Sequence, residues 1–376
     1  MLELQTLKTP SLVLDVERVR RNAARMHERV RGLGASLRPH VKTHKCVEIA
    51  RLQTAGLSSS GGITVSTLAE ARAFAAHGIT DIIYAVPVEP GKFAEAAELT
   101  HRGVRLALLT DDEGIPQQLD EAAGRAGVKF DVYVKIDCGY HRCGVAPDSV
   151  AAFAIPRQLA DASHLRFAGL LTHAGHSYHA RSHEELLAIA RHERDVMNDL
   201  ANRLRAADLP VPVVSIGSTP TATHVDHLDG IDEVRAGNYI FFDAFQATLG
   251  SCGFDDCALT VLAAVVHRDW TRRQIVIDAG AIALSKDRGA VELEPSCGYG
   301  HVHDLAGNDL GLRVESLSQE HGSLKVNDEE MFERLRVGSR VRVLANHSCL
   351  TAAQHAFYHV LEGGRIVDRW EIQRGW

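Results

Sequence analysis

Ala35-Ser36-Leu37-Arg38-Pro39-His40-Val41-Lys42-Thr43-His44-Lys45 opens the part of the chain whose reading decides the fold. A short, partly apolar run leads directly into a lysine. Pro39 is compatible with a strand here if the strand is nearing its end, because a residue there need not donate to the ladder. Apolar strand-like runs follow near 62–66, 81–86, 104–109, 130–136, 166–171, 212–216 and 232–236. Helical segments fill the gaps near 46–55, 67–77, 90–101, 112–126, 147–161 and 183–206, and a shorter one covers 219–228. The longest opens with Ser182-His-Glu-Glu185, a capping-box pattern, and continues through Leu186, Ala190, Val196, Leu200 and Leu204. Counting 36–41 as the first, eight strands alternate with helices, which predicts a parallel (β/α)8 barrel rather than an open doubly wound sheet.

Upstream, 11–15 reads as a strand, and Val16, Val19, Ala23, Met26 and Val30 recur at the spacing of an amphipathic helix ended by Gly32 and Gly34. From about 250 the texture changes to strand-like runs at 256–267, 274–278, 312–318, 339–345 and 357–372, the last containing a Gly363-Gly364 hairpin turn. The expected domains are a barrel over 16–249 and a mostly β domain over 250–376.

The composition narrows the function. Of 376 residues, 45% are hydrophobic and 24% charged, enough apolar matter for a full core. The net charge of −7, with no long basic run, argues against nucleic acid or an anionic membrane as the main partner. No run approaches 18 apolar residues, and Met1-Leu-Glu-Leu-Gln5 has no signal-peptide character, so a cytoplasmic protein is expected. The seven dispersed cysteines contain no CxxC pair and read as reduced thiols.

Barrel active sites lie beyond the C-terminal ends of the strands, and the polar clusters of this chain fall there. They are Lys42-Thr43-His44, Ser66-Thr67, Asp137-Cys-Gly-Tyr-His-Arg142, Thr172-His173-Ala-Gly-His176-Ser-Tyr178, Gly217-Ser218-Thr219-Pro220 and Arg235-Ala-Gly237-Asn238-Tyr239. Gly217-Ser218-Thr219 is a small-residue turn entering a helix, where backbone N–H groups and two hydroxyls can meet an anion. The last two strand loops are the usual phosphate site of such barrels. A phosphate there, opposite an inward lysine, points to pyridoxal 5′-phosphate held on Lys42 as a Schiff base. Arg142 is then the candidate partner of the cofactor's ring oxygen, and Tyr178 lies in a further candidate cofactor loop. Arg142 also reads as a surface arginine.

Asn346-His347-Ser348-Cys349 is the second constellation. If the segment is a strand, positions two apart share a face, so His347 and Cys349 can reach one metal ion. Nitrogen and sulfur ligation favours Zn²⁺. A packed cysteine beside a hydrogen-bonded histidine is the other explanation.

Arg38-Pro-His-Val-Lys-Thr-His44, Gly62-Ile-Thr-Val-Ser-Thr-Leu68, Leu171-Thr-His-Ala-Gly175, Ser215-Ile-Gly-Ser-Thr-Pro220, Gln319-Glu-His-Gly322, Asn346-His-Ser-Cys349 and Arg374-Gly-Trp376 together resemble the fold-type III pyridoxal-phosphate enzymes. The nearest group is the D-serine dehydratase and D-threo-3-hydroxyaspartate dehydratase family, related to the low-specificity D-threonine aldolases. The resemblance covers essentially the whole chain. It implies an alanine-racemase-like barrel with a C-terminal β domain that also takes in residues 1–15, and a homodimer. It matches Lys42 to the Schiff-base lysine, His347 and Cys349 to the metal ligands, and His173 to a site histidine. The implied reaction is β-elimination of a D-3-hydroxy amino acid such as D-serine or D-threo-3-hydroxyaspartate. D-Threonine aldolase chemistry is the alternative, followed by a racemase or a non-catalytic cofactor carrier. The related bacterial aldolases place His-x-Asp at the metal pair, whereas this chain has Cys349.

Overall fold

Eight short strands hydrogen-bond in parallel in one unit of the computed structural model, which describes residues 3–56 and 62–376. Their order is Ser36–Leu37, Glu233–Val234, Val214–Ile216, Leu165–Leu171, Phe130–Lys135, Arg105–Thr110, Asp81–Pro87 and Ile63–Val65. His40 bridges Thr64 in parallel, and the Thr64 N–H donates to the Pro39 carbonyl at 2.9 Å, joining the two end strands. This is the (β/α)8 barrel expected from the alternation.

The first strand is shorter than its apolar run. It stops at Leu37, and Lys42 lies on a 3₁₀ turn, Val41–Thr43, rather than directly at a strand end. Pro39 has no N–H, so pairing continues only through its carbonyl and through His40. Inside the barrel unit Ile83, Ala107, Leu109, Tyr133 and Leu171 pack into one cluster. The leucines and isoleucine of this cluster each contribute about 1.5–3 kcal/mol by leaving water. The helix His183–Ala206 spans the interval expected for it, its N-cap Ser182 accepting the Glu185 N–H.

Residues 25–42, 50–237 and 374–376 make up this unit, and 1–24, 43–49 and 238–373 form a second. The second is built on nine strands. Six of these follow the five apolar runs of the sequence after residue 250, the last run folding into the hairpin of Phe357–Glu362 and Arg365–Glu371 around Gly363-Gly364. Ser11–Asp15 is a member of this sheet, antiparallel to Leu259–Asp269 and parallel to Phe357–Glu362. His301–His303 and Gly322–Lys325 are strands without a strong apolar signal. Gln274–Ile277 pairs with both Gly322–Lys325 and Leu259–Asp269, which closes six of the strands into a ring. Leu4, Leu7, Val13, Leu262, Leu361 and Ile366 form a buried cluster in this unit. No helix among the described residues is long and apolar enough to cross a membrane.

Candidate active site

In the barrel unit, the loops after the strands carry Lys42, Arg142, His173, Tyr178, Gly217, Ser218, Thr219 and Gly237. Lys42 is exposed on its 3₁₀ turn. His173 follows the strand Leu165–Leu171, and its Nδ1 lies 3.1 Å from the Gly217 carbonyl oxygen. A carbonyl can only accept, so Nδ1 carries the proton and Nε2 is left as the acceptor. Burial, then the charges of Lys42, Lys135 and Arg142, hold His173 well below the ordinary imidazole range. It is therefore a neutral ring within electrostatic reach of the Lys42 amine.

Tyr140 packs edge-on against His173, with ring centroids 6.0 Å apart, and the Arg142 guanidinium lies over the Tyr140 ring at 5.1 Å. Gly175 makes this possible, since a Cβ there would fall 2.3 Å from the tyrosine ring. Tyr178 sits partly buried on the 3₁₀ turn Gly175–His179.

Gly217-Ser218-Thr219 does enter a helix, Thr219–His224, with Ser218 as N-cap in a capping box with Thr221. The Ser218 hydroxyl also lies 3.0 Å from that of Ser177. Gly217 takes φ +131°, and a Cβ there would meet the Arg235 backbone nitrogen at 2.9 Å. The buried hydroxyls of Ser177, Ser218 and Thr221 are donors of the kind an oxyanion requires, and Lys42 supplies the amine. These groups fit pyridoxal 5′-phosphate in donor type.

Asn238, Tyr239, His347 and Cys349 belong to the second unit. His347 and Cys349 do not lie on a strand. His347 is the extended N-cap residue of the short helix Ser348–Ala352, and Cys349 sits in its first turn. The strand Arg340–Leu344 ends earlier, and Asn346 is fixed sideways by donating to the Arg288 and Gly298 carbonyls.

The imidazole and thiol remain close enough across this helix start to act on each other's protonation. His347 Nδ1 donates to Asp287 Oδ2 at 2.6 Å, which directs the opposite ring nitrogen elsewhere. Burial opposes charge on His347, but Asp287 and Cys349 outweigh it and hold the ring well above its ordinary range. Burial likewise pushes the Cys349 thiol up, yet the His347 contact and Thr43 outweigh it and bring it below the usual thiol range. Its sulfur lies 3.4 Å from Thr43 Oγ1 and 3.5 Å from Asn238 Nδ2. Asn238 also donates to Asp243 Oδ2 and Ser348 Oγ, and Asp243 accepts the Ser348 N–H, so one buried carboxylate holds the helix start. Tyr239 is fully buried.

A thiolate and an imidazole with its far nitrogen anchored by a carboxylate fit a borderline-soft divalent cation. Among the described residues no group of three or more His, Cys, Asp or Glu has metal-holding geometry, so the pair would act with non-protein ligands. Asp287 and Asp243 were not identifiable from the sequence as site residues, and Thr43 stood in the polar cluster after the first strand without a role. Only the capping position of Asp243, before Ala244–Thr248, carries a local signal.

An eight-stranded parallel barrel bearing a lysine after its first strand defines the alanine-racemase class, and the chain matches the description "Alanine racemase, N-terminal domain" over residues 14–244. Residues 258–361 match "Putative serine dehydratase domain". The chain belongs to the D-serine dehydratase and D-threo-3-hydroxyaspartate dehydratase family of fold-type III pyridoxal-phosphate enzymes. It is 43% identical to a D-threo-3-hydroxyaspartate dehydratase of Delftia sp. HT23, over 99% of both chains. The structure of that enzyme superposes with a TM-score of 0.96 at 42% identity, covering 100% of each chain. A cysteine-to-alanine mutant of a D-threo-3-hydroxyaspartate dehydratase, solved in a metal-free form, gives the same score and coverage. A D-serine dehydratase of Dictyostelium discoideum is 34% identical over 100% of this chain and 98% of its own. A D-threonine aldolase of Arthrobacter sp. is 30% identical over 98% and 93%.

Proposed function

We propose that the protein is a pyridoxal-phosphate- and Zn²⁺-dependent lyase that eliminates water from a D-3-hydroxy amino acid, D-threo-3-hydroxyaspartate or D-serine, to give a 2-oxo acid and ammonia. The observation that carries this reading is the Cys349 thiol, held low by His347 and Thr43, beside an imidazole anchored on Asp287. The 43% identical dehydratase supports the substrate class.

Lys42 would hold the cofactor through its amine, with the Ser218 and Thr219 turn, Gly217 and Gly237 toward its phosphate and Arg142 and Tyr178 toward its ring. Asn238 and Tyr239 are proposed with the same group. Bound there, pyridoxal 5′-phosphate supplies an electron sink for the charge that develops at Cα. The Lys42 amine, when free, would be the base for the Cα proton. His173 would take up at Nε2 the proton that Lys42 removed from Cα and, its basicity being low, give it to the departing 3-hydroxyl, which leaves as water. His347 and Cys349 would hold a divalent cation whose Lewis acidity assists departure of the 3-hydroxyl.

Release of pyruvate and ammonia from D-serine, or of oxaloacetate and ammonia from D-threo-3-hydroxyaspartate, tests the reading. Turnover abolished by Lys42→Ala and suppressed by a chelator is expected, and full activity after complete metal removal would sink the zinc role. His173 also suits the second reading, D-threonine aldolase, where Nε2 would take the 3-hydroxyl proton. Glycine and an aldehyde as products would establish that reaction instead. The family resemblance further supports a homodimer, and sedimentation equilibrium of the purified chain checks it.

A further inference from the structure

We infer that Glu193 is a positioning residue for His173, acting from the outer helix through the backbone of two strand loops. This rests on the reading of His173 as a proton acceptor. The buried face of the helix His183–Ala206 runs Leu186, Ala190, Glu193, Met197, Leu200, Leu204 at steps of three and four. Glu193 takes a position that this pattern assigns to an apolar side chain, and it is 0% exposed. A buried carboxyl group is costly unless hydrogen-bonded, so its partners decide what glutamate does here.

Glu193 Oε1 accepts the Ala174 N–H at 2.9 Å and the Gly217 N–H at 3.2 Å. Ala174 is the residue after His173, and Gly217 is the residue whose carbonyl receives His173 Nδ1. One oxygen thus fixes both ends of the geometry that sets the ring, namely the backbone carrying His173 and the carbonyl selecting its tautomer. Gly217 is fit for this role because its φ of +131° lets its N–H and carbonyl serve the two groups while its Cα passes close to Arg235. The second carboxyl oxygen, Oε2, is buried without a partner. The hydrogen bonds to Oε1 are therefore what retains this side chain, and an amide oxygen can replace them.

The test uses the holoenzyme on whichever of D-serine and D-threo-3-hydroxyaspartate it turns over, with kcat, KM, bound-cofactor absorbance and Tm measured together. Glu193→Leu is expected to lower kcat roughly 10- to 100-fold, the scale of a displaced catalytic group. KM should change less than about threefold, and the cofactor should be retained. Glu193→Gln should recover kcat to within about threefold, because its amide oxygen can accept the same two N–H groups. Glu193→Asp, which keeps the carboxyl group but not the reach, should fall with the leucine variant and serves if that variant does not fold. In a His173→Gln background, Glu193→Leu should cost little more, since both changes remove one function. An unchanged kcat in Glu193→Leu or Glu193→Asp, a glutamine variant as impaired as leucine, or losses that multiply in the double variant would overturn the inference. Failure of the underlying reading looks different: His173→Gln alone would then leave kcat unchanged.

Discussion

Replacing Arg38 by methionine should cost the barrel unit about 3 kcal/mol. Arg38 follows the two-residue strand Ser36–Leu37, and its N–H donates to the Val234 carbonyl at 2.9 Å. Its side chain is 12% exposed and reaches two carboxylates, Glu233 through Nε and Asp81 through Nη1. It therefore ties the first strand to Glu233–Val234 and to Asp81–Pro87. Burial pulls the arginine's pKa down, but these two partners outweigh it and the guanidinium is held above its ordinary range. Gly62 leaves room for it, since a Cβ at that position would lie 1.8 Å from Nη1.

Removing one partner of a buried pair typically costs about 3–5 kcal/mol, because the other charge is left in a poor solvent. Here the lower end applies. Glu233 keeps the Ser215 hydroxyl at 2.6 Å, and Asp81, 21% exposed, keeps Arg105. For a unit of this size the loss corresponds to a fall in Tm of roughly 6–12 °C, read by circular dichroism or calorimetry. Arg38→Met with Glu233→Gln should recover at least half of it, since the stranded charge is then gone. A single-variant loss below about 1 kcal/mol, or costs that simply add in the double variant, would refute the assignment of this pair as a tie between strands.

Asp287→Asn should weaken Zn²⁺ binding at the proposed His347–Cys349 site by about 10- to 100-fold, the usual cost of removing a carboxylate behind a ligating histidine, and titration calorimetry of the apo chain with Zn²⁺ measures it. Gly217→Ala should destabilise by at least about 1–3 kcal/mol from backbone strain alone, with further loss from the 2.9 Å approach to the Arg235 nitrogen; chemical denaturation gives the value. His301, 2% exposed, is held down to about 4 by burial and then by the charge of Arg313. The unfolded chain therefore takes up this proton first, so the stability at stake is intact above about pH 6.5 and is lost as pH falls toward 4. The loss is on the order of 3 kcal/mol at most, and His301→Gln should flatten the urea-derived stability profile in that window alone.

Elements whose burial is periodic were legible in the sequence, and those defined by a partner were not. The helix His183–Ala206 carries both a capping serine and a long apolar row, and its bounds match the expected interval. The strands His301–His303 and Gly322–Lys325 contain one strong apolar residue each, and they are strands because Arg340–Leu344 and Gln274–Ile277 pair with them. The first barrel strand was over-extended because Val41 looks like strand, whereas Pro39 ends the regular ladder. At the His347–Cys349 pair, the spacing of two was visible but its cause was not: a helix start, rather than a pleat, holds the side chains. Asp287 and Asp243 lie about 60 and 105 residues upstream in the chain, and only the fold identifies them as partners of this segment.

The two histidines, His347 singled out by its spacing from Cys349 and His173 by the family resemblance, are set by the same device with opposite results. Each donates from Nδ1 and so presents Nε2, but His347 donates to the Asp287 carboxylate and His173 to the neutral Gly217 carbonyl. An anionic acceptor stabilises positive character on the ring, which raises His347 and makes it a strong electron-pair donor once deprotonated. A neutral acceptor gives little of this, and Lys42, Lys135 and Arg142 press the other way, so His173 stays uncharged. A ligand must hold a cation continuously, whereas a proton acceptor must let go within each turnover. Exchanging the acceptor classes would exchange these abilities, and the pairing of carboxylate with His347 and carbonyl with His173 suits the metal-assisted elimination proposed above.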